Sequence, residues 1–306
     1  MQQHSTRDTR TESPTAAADP IPVVPLRHPV RLAVAVVLIL VALSAAWDVA
    51  VNQRYHWDVV VSYLFAPQII AGAGLTILLT VVSMTAGIAL GTLLAIMRLS
   101  ENPILRTISR GYIWFFRGTP LLVQLIFWYN IAALYPVIAF GLPFGGPSVV
   151  LGSANVLISP LAAALLGLSL NEAAYMAEII RGGLLSVDKG QVEATDAFGM
   201  TRSRALRRVI IPQAMRSIVP PTGNQLISMI KATSLVSVIA MADLLYSVQA
   251  VYNRTFEVIP MLMVAVIWYL VITSVLNIGQ GFIERYYARG ERGSTQAKPV
   301  IAEATP

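Results

Sequence analysis

Apolar residues in this chain come in long unbroken runs, not in the alternation of a half-buried strand or the narrow stripe of a surface helix. The first run, LAVAVVLILVALSAAW, fills the interval from Arg31 to Asp48. It is slightly short of the roughly 20 residues a membrane span needs, and flanking Val and Ala extend it. No charge occurs between Asp58 and Arg98. That stretch is too long for one crossing, and Pro67 with Gly72 and Gly74 marks a helix entry, so the second span is read as 68–97. A further charge-free stretch, Gly118 to Asn171, must hold two helices and a turn; GLPFGGPS at 141–148 supplies the turn and leaves spans at 119–139 and 156–180. After a polar, basic segment the apolar pattern resumes at 218–245 and 258–283. The pattern therefore predicts an all-α integral membrane protein with six transmembrane helices.

Composition sharpens this picture. Of 306 residues 56% are apolar and only 12% charged, about half the charge of a soluble domain. Residues 1–30 are rich in Thr, Ala, Pro and charge and are expected to be a disordered tail, without the arrangement of a cleaved signal peptide. Residues 31–67 form the first helix and a linker, and 288–306 a second tail. The net charge of +6 is distributed unevenly. One side collects Arg7, Arg10, Arg27 and Arg31, then Arg98, Arg106, Arg110 and Arg117. It also takes seven cations from Arg181 to Arg216, and Arg285, Arg289, Arg292 and Lys298, so it holds nineteen of the twenty-two Lys and Arg residues. The opposite loops hold Arg54 and Arg254, and Lys231 sits inside a span. By the positive-inside rule both termini are cytoplasmic, and the basic excess belongs to membrane topology, not to nucleic-acid binding. With no cysteine and with histidine only at His4, His28 and His56, no metal cluster and no Cys or His catalytic site is expected. Nor is any G-x-x-x-x-G-K-[ST] loop present to cradle ATP phosphates.

The basic segment at 182–216 is too long and too patterned for a simple connection. Gln191 to Phe198 suits a short helix that Gly199 stops in the left-handed conformation, where a Cβ would cost about 1 kcal/mol. Thr201 can cap a second helix running to about Ile210, with Pro212 beyond its end. Two short helices joined at a sharp glycine make an elbow. With Arg202, Arg204, Arg207 and Arg208 on one part and Ala194, Ala197 and Phe198 on another, it suits a groove in a partner protein; an amphipathic helix lying on anionic lipid is the other reading.

Within that segment Glu193-Ala194-Thr195, three residues, Gly199, nine residues, Val209, one residue and Ile211-Pro212 resemble the EAA motif of ABC importer permeases. Glu193, Ala194, Gly199 and Pro212 match it in register; Thr195, Val209 and Ile211 stand where Ala, Ile and Leu are usual. FRGTPLLVQ (116–124), SLNEAAYMAEIIRGG (169–183), KGQVEA (189–194) and PQAMRSIVPPTGNQLISMIKATSLVSVI (212–239) resemble the polar amino-acid branch, the histidine, glutamine and arginine type. The resemblance spans 68–287 and implies a five-helix type I permease core preceded by one extra helix. It also implies that the Glu193 to Pro212 elbow docks on an ABC ATPase dimer, which binds ATP-Mg while this chain needs no cofactor. The further partners implied are a second permease copy or paralogue, an extracytoplasmic amino-acid-binding protein and the amino acid itself, within membrane lipid and with no nucleic acid. Such a chain is a transporter subunit of the bacterial inner membrane, not an enzyme.

Ionisable groups inside spans mark a pathway or an intrabundle pair. Glu172 and Glu178 lie in the fourth span, and Asn224, Gln225, Lys231, Thr233, Ser234 and Asp243 in the fifth. Either they line a wet translocation path, or Lys231 pairs with Glu178 or Glu172 to hold two helices together. Gln124, one turn inside the third span, either lines the path or makes an interhelical hydrogen bond. Lys231-Ala232-Thr233-Ser234-Leu235 matches the family's usual Lys-x-Thr-Ser-Leu, whereas Asp243 stands where Glu is more common. A different class, a secondary carrier driven by an ion gradient, would call for two related halves, and no internal repeat is visible.

Overall fold

The computed structural model describes residues 29–141 and 148–288. The expected tails, through residue 28 and from residue 289, and most of the 141–148 turn lie outside the described residues. The chain divides into two units at Asn52. The first contains α1 (Pro29–Val51), an apolar helix of 23 residues and about 35 Å at 1.5 Å per residue, long enough for a bilayer.

The second unit begins with a short 3-10 turn (Gln53–Tyr55) and α2 (Trp57–Leu64). Next comes α3 (Pro67–Leu99), whose proline sits in the first turn, where no backbone donor is needed. Helix α4 (Pro103–Gly118) is capped by Asn102, whose Oδ1 accepts from the Ile104 amide at 2.9 Å. A break at Thr119-Pro120 leads to α5 (Leu121–Tyr129), a hairpin of β1 (Val137–Gly141) and β2 (Ser148–Ser153), and a single turn, α6 (Ala154–Leu157). Ser159 caps α7 (Pro160–Leu185). The elbow is α8 (Lys189–Ala197) and α9 (Arg202–Ala205), followed by a π-helical turn, Leu206–Ile210. Helix α10 (Ile211–Ala232) runs into a 3-10 segment, Thr233–Ile239; α11 (Leu244–Thr255) and α12 (Val258–Ala288) complete the fold.

Helices α3 and α7 make the most extensive contact of any two elements. Gly87 and Gly91 explain why: a Cβ at Gly87 would lie 2.6 Å from Glu172 Cγ, and one at Gly91 2.6 Å from Met176 Cβ. The small-xxx-small spacing is thus a packing device. Around this pair the core gathers Leu79, Met84, Leu125, Leu168, Met176, Ala214 and Met229. A second cluster, Ile69, Ile230, Leu244, Val248 and Met261, joins α3, α10, α11 and α12. The outward faces of α3 and α12 present Ile77, Leu78, Val81, Leu93, Leu270, Val271 and Val275 to the surroundings, the exposure expected where hydrocarbon replaces water.

Among the described residues, four helices are long and apolar enough to cross a membrane, and a bent pair, counted as one span, makes a fifth. The expected helix over 119–139 is not continuous. Helix α5 has nine residues, about 14 Å and half of a bilayer core, and gives way to 3-10 geometry at Ile131–Ala133 and then to strand β1. Asn130 turns its side-chain amide back onto the Ile126 carbonyl at 2.8 Å. Pro136, lacking a donor, leads into the hairpin and accepts from the Ala154 amide at 2.9 Å. The expected helix over 218–245 is also broken: the arms Arg202–Ile239 and Leu244–Thr255 meet at 46°, with Ala240 in the left-handed region at φ 55°. The second elbow helix does not stop before Pro212. It continues through the π turn into α10, with Pro212 in the first turn of α10; the wider turn makes room for the pyrrolidine ring beside the preceding carbonyls.

Candidate functional site

The elbow is built locally. Asp188 caps α8, its Oδ1 accepting from the Gly190 amide at 2.8 Å. At the other end the Gly199 amide donates to Asp196 O (2.9 Å) and the Met200 amide to Thr195 O (3.0 Å). With Gly199 at φ 64° this is a complete Schellman motif. No atom lies within 4 Å of a Cβ placed on Gly199, so glycine is required for its backbone conformation and not for space. Thr195 is buried and returns its hydroxyl to Val192 O at 2.7 Å, which suits the position where the family motif carries alanine. Gln213 Nε2 donates to Gln191 Oε1 at 3.2 Å and ties α10 back to α8. Glu193, Ala194, Ala197, Arg202, Arg204, Arg207 and Arg208 remain exposed, and Phe198 at the bend is 85% exposed. Pro212, also exposed, stands where the elbow enters α10. The four motif residues therefore lie on one internally bonded, solvent-facing piece.

A belt of polar side chains crosses the helices. Gln225 Nε2 on α10 donates to Glu172 Oε2 on α7 at 3.1 Å, and Gln280 Nε2 on α12 donates to Asn224 Oδ1 at 3.0 Å and Glu284 Oε1 at 2.7 Å. Adjacent residues of α10 thus hold two different helices, α7 and α12. Asn224, Ser228 and Lys231, spaced four and three apart, form an exposed polar stripe on one face of α10.

Glu178 is bound by Arg181 through Nη2 (2.7 Å) and Nε (3.0 Å). The pairing of Lys231 with Glu178 or Glu172 is not what the structure has, for a geometric reason. Gly183 meets Ile218 while Glu172 meets Gln225, so α7 and α10 run antiparallel and the level of Glu178 on α10 is near Pro220. Lys231 lies about eleven residues, or roughly 16 Å, further along. Thr233 and Ser234 turn their hydroxyls onto Ile230 O (2.6 Å) and Lys231 O (2.7 Å), so both are bonded locally where α10 passes into 3-10 geometry. Asp243 is fully buried and caps α11, its Oδ1 accepting from the Tyr246 amide at 2.9 Å. Thr76 of α3 adds its Oγ1 to the Leu244 amide at 3.1 Å.

Gln124 makes the interhelical bonds of the second reading. Pro120 has no N–H to give the Phe116 carbonyl; Gln124 Nε2 (3.1 Å) and Asn171 Nδ2 (3.0 Å) donate to it instead. Gln124 Nε2 also reaches Thr119 Oγ1 at 2.8 Å, and its Oε1 accepts from Asn171 at 3.3 Å. Sequence reasoning missed Asn171, although a proline one turn after a buried carbonyl is a signal that some donor must replace it. A cavity of about 710 Å³ opens between α3, α7, α10 and α12. Its walls are apolar apart from Thr92, Thr222, Gln280 and Glu284, and none of the polar residues singled out from sequence lines it.

Comparison with known proteins bears on this arrangement. The family described as binding-protein-dependent transport system inner membrane component matches residues 87–289. The arginine transport system permease protein ArgU of Corynebacterium glutamicum is 45% identical over 294 residues, 95% of this chain and 90% of the relative. The L-cystine transport system permease protein TcyB of Bacillus subtilis is 39% identical over 230 residues, 75% of this chain and 90% of the relative. A chain from the crystal structure of an amino acid ABC transporter with histidines superposes with a TM-score of 0.61 at 34% identity, covering 72% of this chain and 95% of its own. A multi-pass helical chain with that match over its core belongs to the binding-protein-dependent inner membrane transport family, in the branch of polar amino-acid ABC permeases.

Proposed function

We propose that this chain is one permease subunit of an ATP-driven, binding-protein-dependent importer of a polar amino acid in a bacterial inner membrane. The observation that carries the reading is the elbow: a glycine-stopped, internally bonded corner that holds Glu193, Ala194 and Phe198 out to solvent. A separate ABC ATPase dimer supplies ATP-Mg and seats the elbow, since the sequence contains no phosphate-binding loop. Both termini and the arginine-rich ends face the cytoplasm. Helix α5 with the 131–135 segment completes the third of six crossings, and the hairpin lies outside.

One such chain provides half of a pathway. The stripe of Asn224, Ser228 and Lys231 faces a second permease copy or paralogue across it, because an exposed lysine within an apolar span needs a polar surface opposite. An extracytoplasmic binding protein delivers the amino acid, and closure of the ATPase dimer moves α7 and α10 through the elbow that joins them. The test is reconstitution in proteoliposomes with the ATPase and the binding protein encoded beside it. Uptake requires ATP inside and binding protein outside; uptake by the chain alone under a proton or sodium gradient would instead make it a secondary carrier.

A further inference from the structure

Helix α4 has three faces. Ser109, Ile113 and Phe116 are buried. Three bonds hold that flank: Ser109 Oγ to Leu94 O on α3 at 2.8 Å, Tyr112 Oη to Leu170 O on α7 at 2.8 Å, and Asn171 to the Phe116 carbonyl. Arg106, Arg110 and Arg117 fall within about 40° of one another around the axis at 100° per residue, and all are exposed. Roughly opposite them lie Ile104, Ile108 and Phe115, exposed apolar side chains, with Trp114, 77% exposed, at the edge.

The arginine face is not isolated. Arg98 at the end of α3 lies in the field of Arg110, Glu178, Arg181 and Arg106. These arginines outnumber the carboxylate they share, and Glu178 is already taken by Arg181. The result is a concentrated positive patch opposite an apolar face, on a helix fixed to the α7 that leads into the elbow.

We infer that α4 lies in the cytoplasmic headgroup layer and that its arginine face, with Arg98, binds the phosphate of an anionic membrane lipid while Ile104, Ile108 and Phe115 enter the acyl region. A basic face opposite an apolar one is the pattern of an interfacial helix, and anionic lipid supplies both the charge and the hydrocarbon that the two faces require. An acidic surface of the ATPase would answer the arginines and leave the apolar face in water. The inference rests on the cytoplasmic orientation proposed above.

The test uses the full chain in phosphatidylcholine bilayers holding equal amounts of brominated phosphatidylglycerol or brominated phosphatidylcholine. Trp114 emission is taken as the difference between wild type and Trp114→Phe. Brominated phosphatidylglycerol is expected to quench it at least twofold more than brominated phosphatidylcholine, less so as salt rises. The preference is lost in Arg106→Gln/Arg110→Gln and kept in Arg106→Lys/Arg110→Lys. Equal quenching of that difference signal by the two lipids, which needs only the conservative Trp114→Phe variant and no change to the arginines, overturns the inference, as does a preference that survives both Gln substitutions. Loss of ATPase retention in the Gln variant with quenching unchanged assigns the face to the ATPase and likewise overturns it. Because the chain has no native cysteine, Thr107→Cys reports orientation separately. Labelling by an impermeant maleimide in inverted vesicles alone upholds the orientation whatever the lipid result, and labelling in right-side-out vesicles alone sinks both.

Discussion

Gly199 and Asp243 show two ways in which one residue fixes a backbone path. At Gly199 the space is open and only the positive φ of 64° is restrictive, so substitutions rank by their tolerance of the left-handed region. Gly199→Asn costs a few tenths of a kcal/mol and keeps most transport; Gly199→Val costs about 1–2 kcal/mol at the bend and uncouples it. Comparing substrate-stimulated ATP hydrolysis of the two variants at equal membrane abundance checks this, and equal rates would show that the bend geometry is irrelevant. Asp243 was legible in sequence as an ionisable group inside a span, which by default suggests a pathway. Its buried carboxylate instead accepts the Tyr246 amide, an amino-terminal cap that an amide side chain can also make. Asp243→Asn is therefore expected to retain uptake, while Asp243→Ala loses about 1–2 kcal/mol of stability and much of the protein from the membrane. If Asn and Ala are equally inactive but equally abundant, the charge itself is required and the cap is incidental.

Elements were read well wherever hydrophobic length decided them and poorly wherever a few polar atoms did. Helices α1, α3 and α12 follow from apolar runs of sufficient length and α7 from an apolar run that continues past Glu172 and Glu178, while the elbow follows from Gly199 and the spacing from Glu193 to Pro212; the Asp188 cap emerges only in the structure. The start of α5 after Thr119-Pro120 agrees with a third span expected from 119; its early end does not follow from the pattern, because apolar residues still dominate 121–140 and hydropathy carries no trace of where backbone bonds stop. What decides there is Pro120, Asn130 and Pro136, and the donors that replace lost bonds come from Gln124 and from Asn171, distant in sequence. That amide pair acts as a unit. Gln124→Leu and Asn171→Leu are each expected to cost about 1–3 kcal/mol by leaving a buried carbonyl short of donors. The double variant should cost less than the sum; strict additivity in thermal unfolding of the detergent-purified protein would deny the shared clamp. Packing of α3 on α7 makes an independent test: Gly91→Val should prevent their approach and abolish expression. Gly74→Ala, with no atom within 4 Å of its Cβ, should be silent or slightly stabilising.

For the whole molecule, the few polar groups inside the apolar body fall into separate jobs. The Gln124–Asn171 pair and Glu172–Gln225 tie α7 to α5 and α10, and Asn224–Gln280 ties α10 to α12. The exposed stripe of Asn224, Ser228 and Lys231 is left facing outward. Helices α7 and α10 both lead directly into the elbow, so displacement of that corner carries the helices bound to them, which is what a subunit driven from outside requires. The most direct test of this account is a contact. In the cysteine-free chain Phe198→Cys, assembled with its ATPase and binding protein, is expected to cross-link to the ATPase subunit through a short thiol reagent, with a yield that changes when ATP binds. A Phe198→Cys that never cross-links to the ATPase, in complexes that still take up amino acid with ATP, would contradict the elbow as the point of coupling.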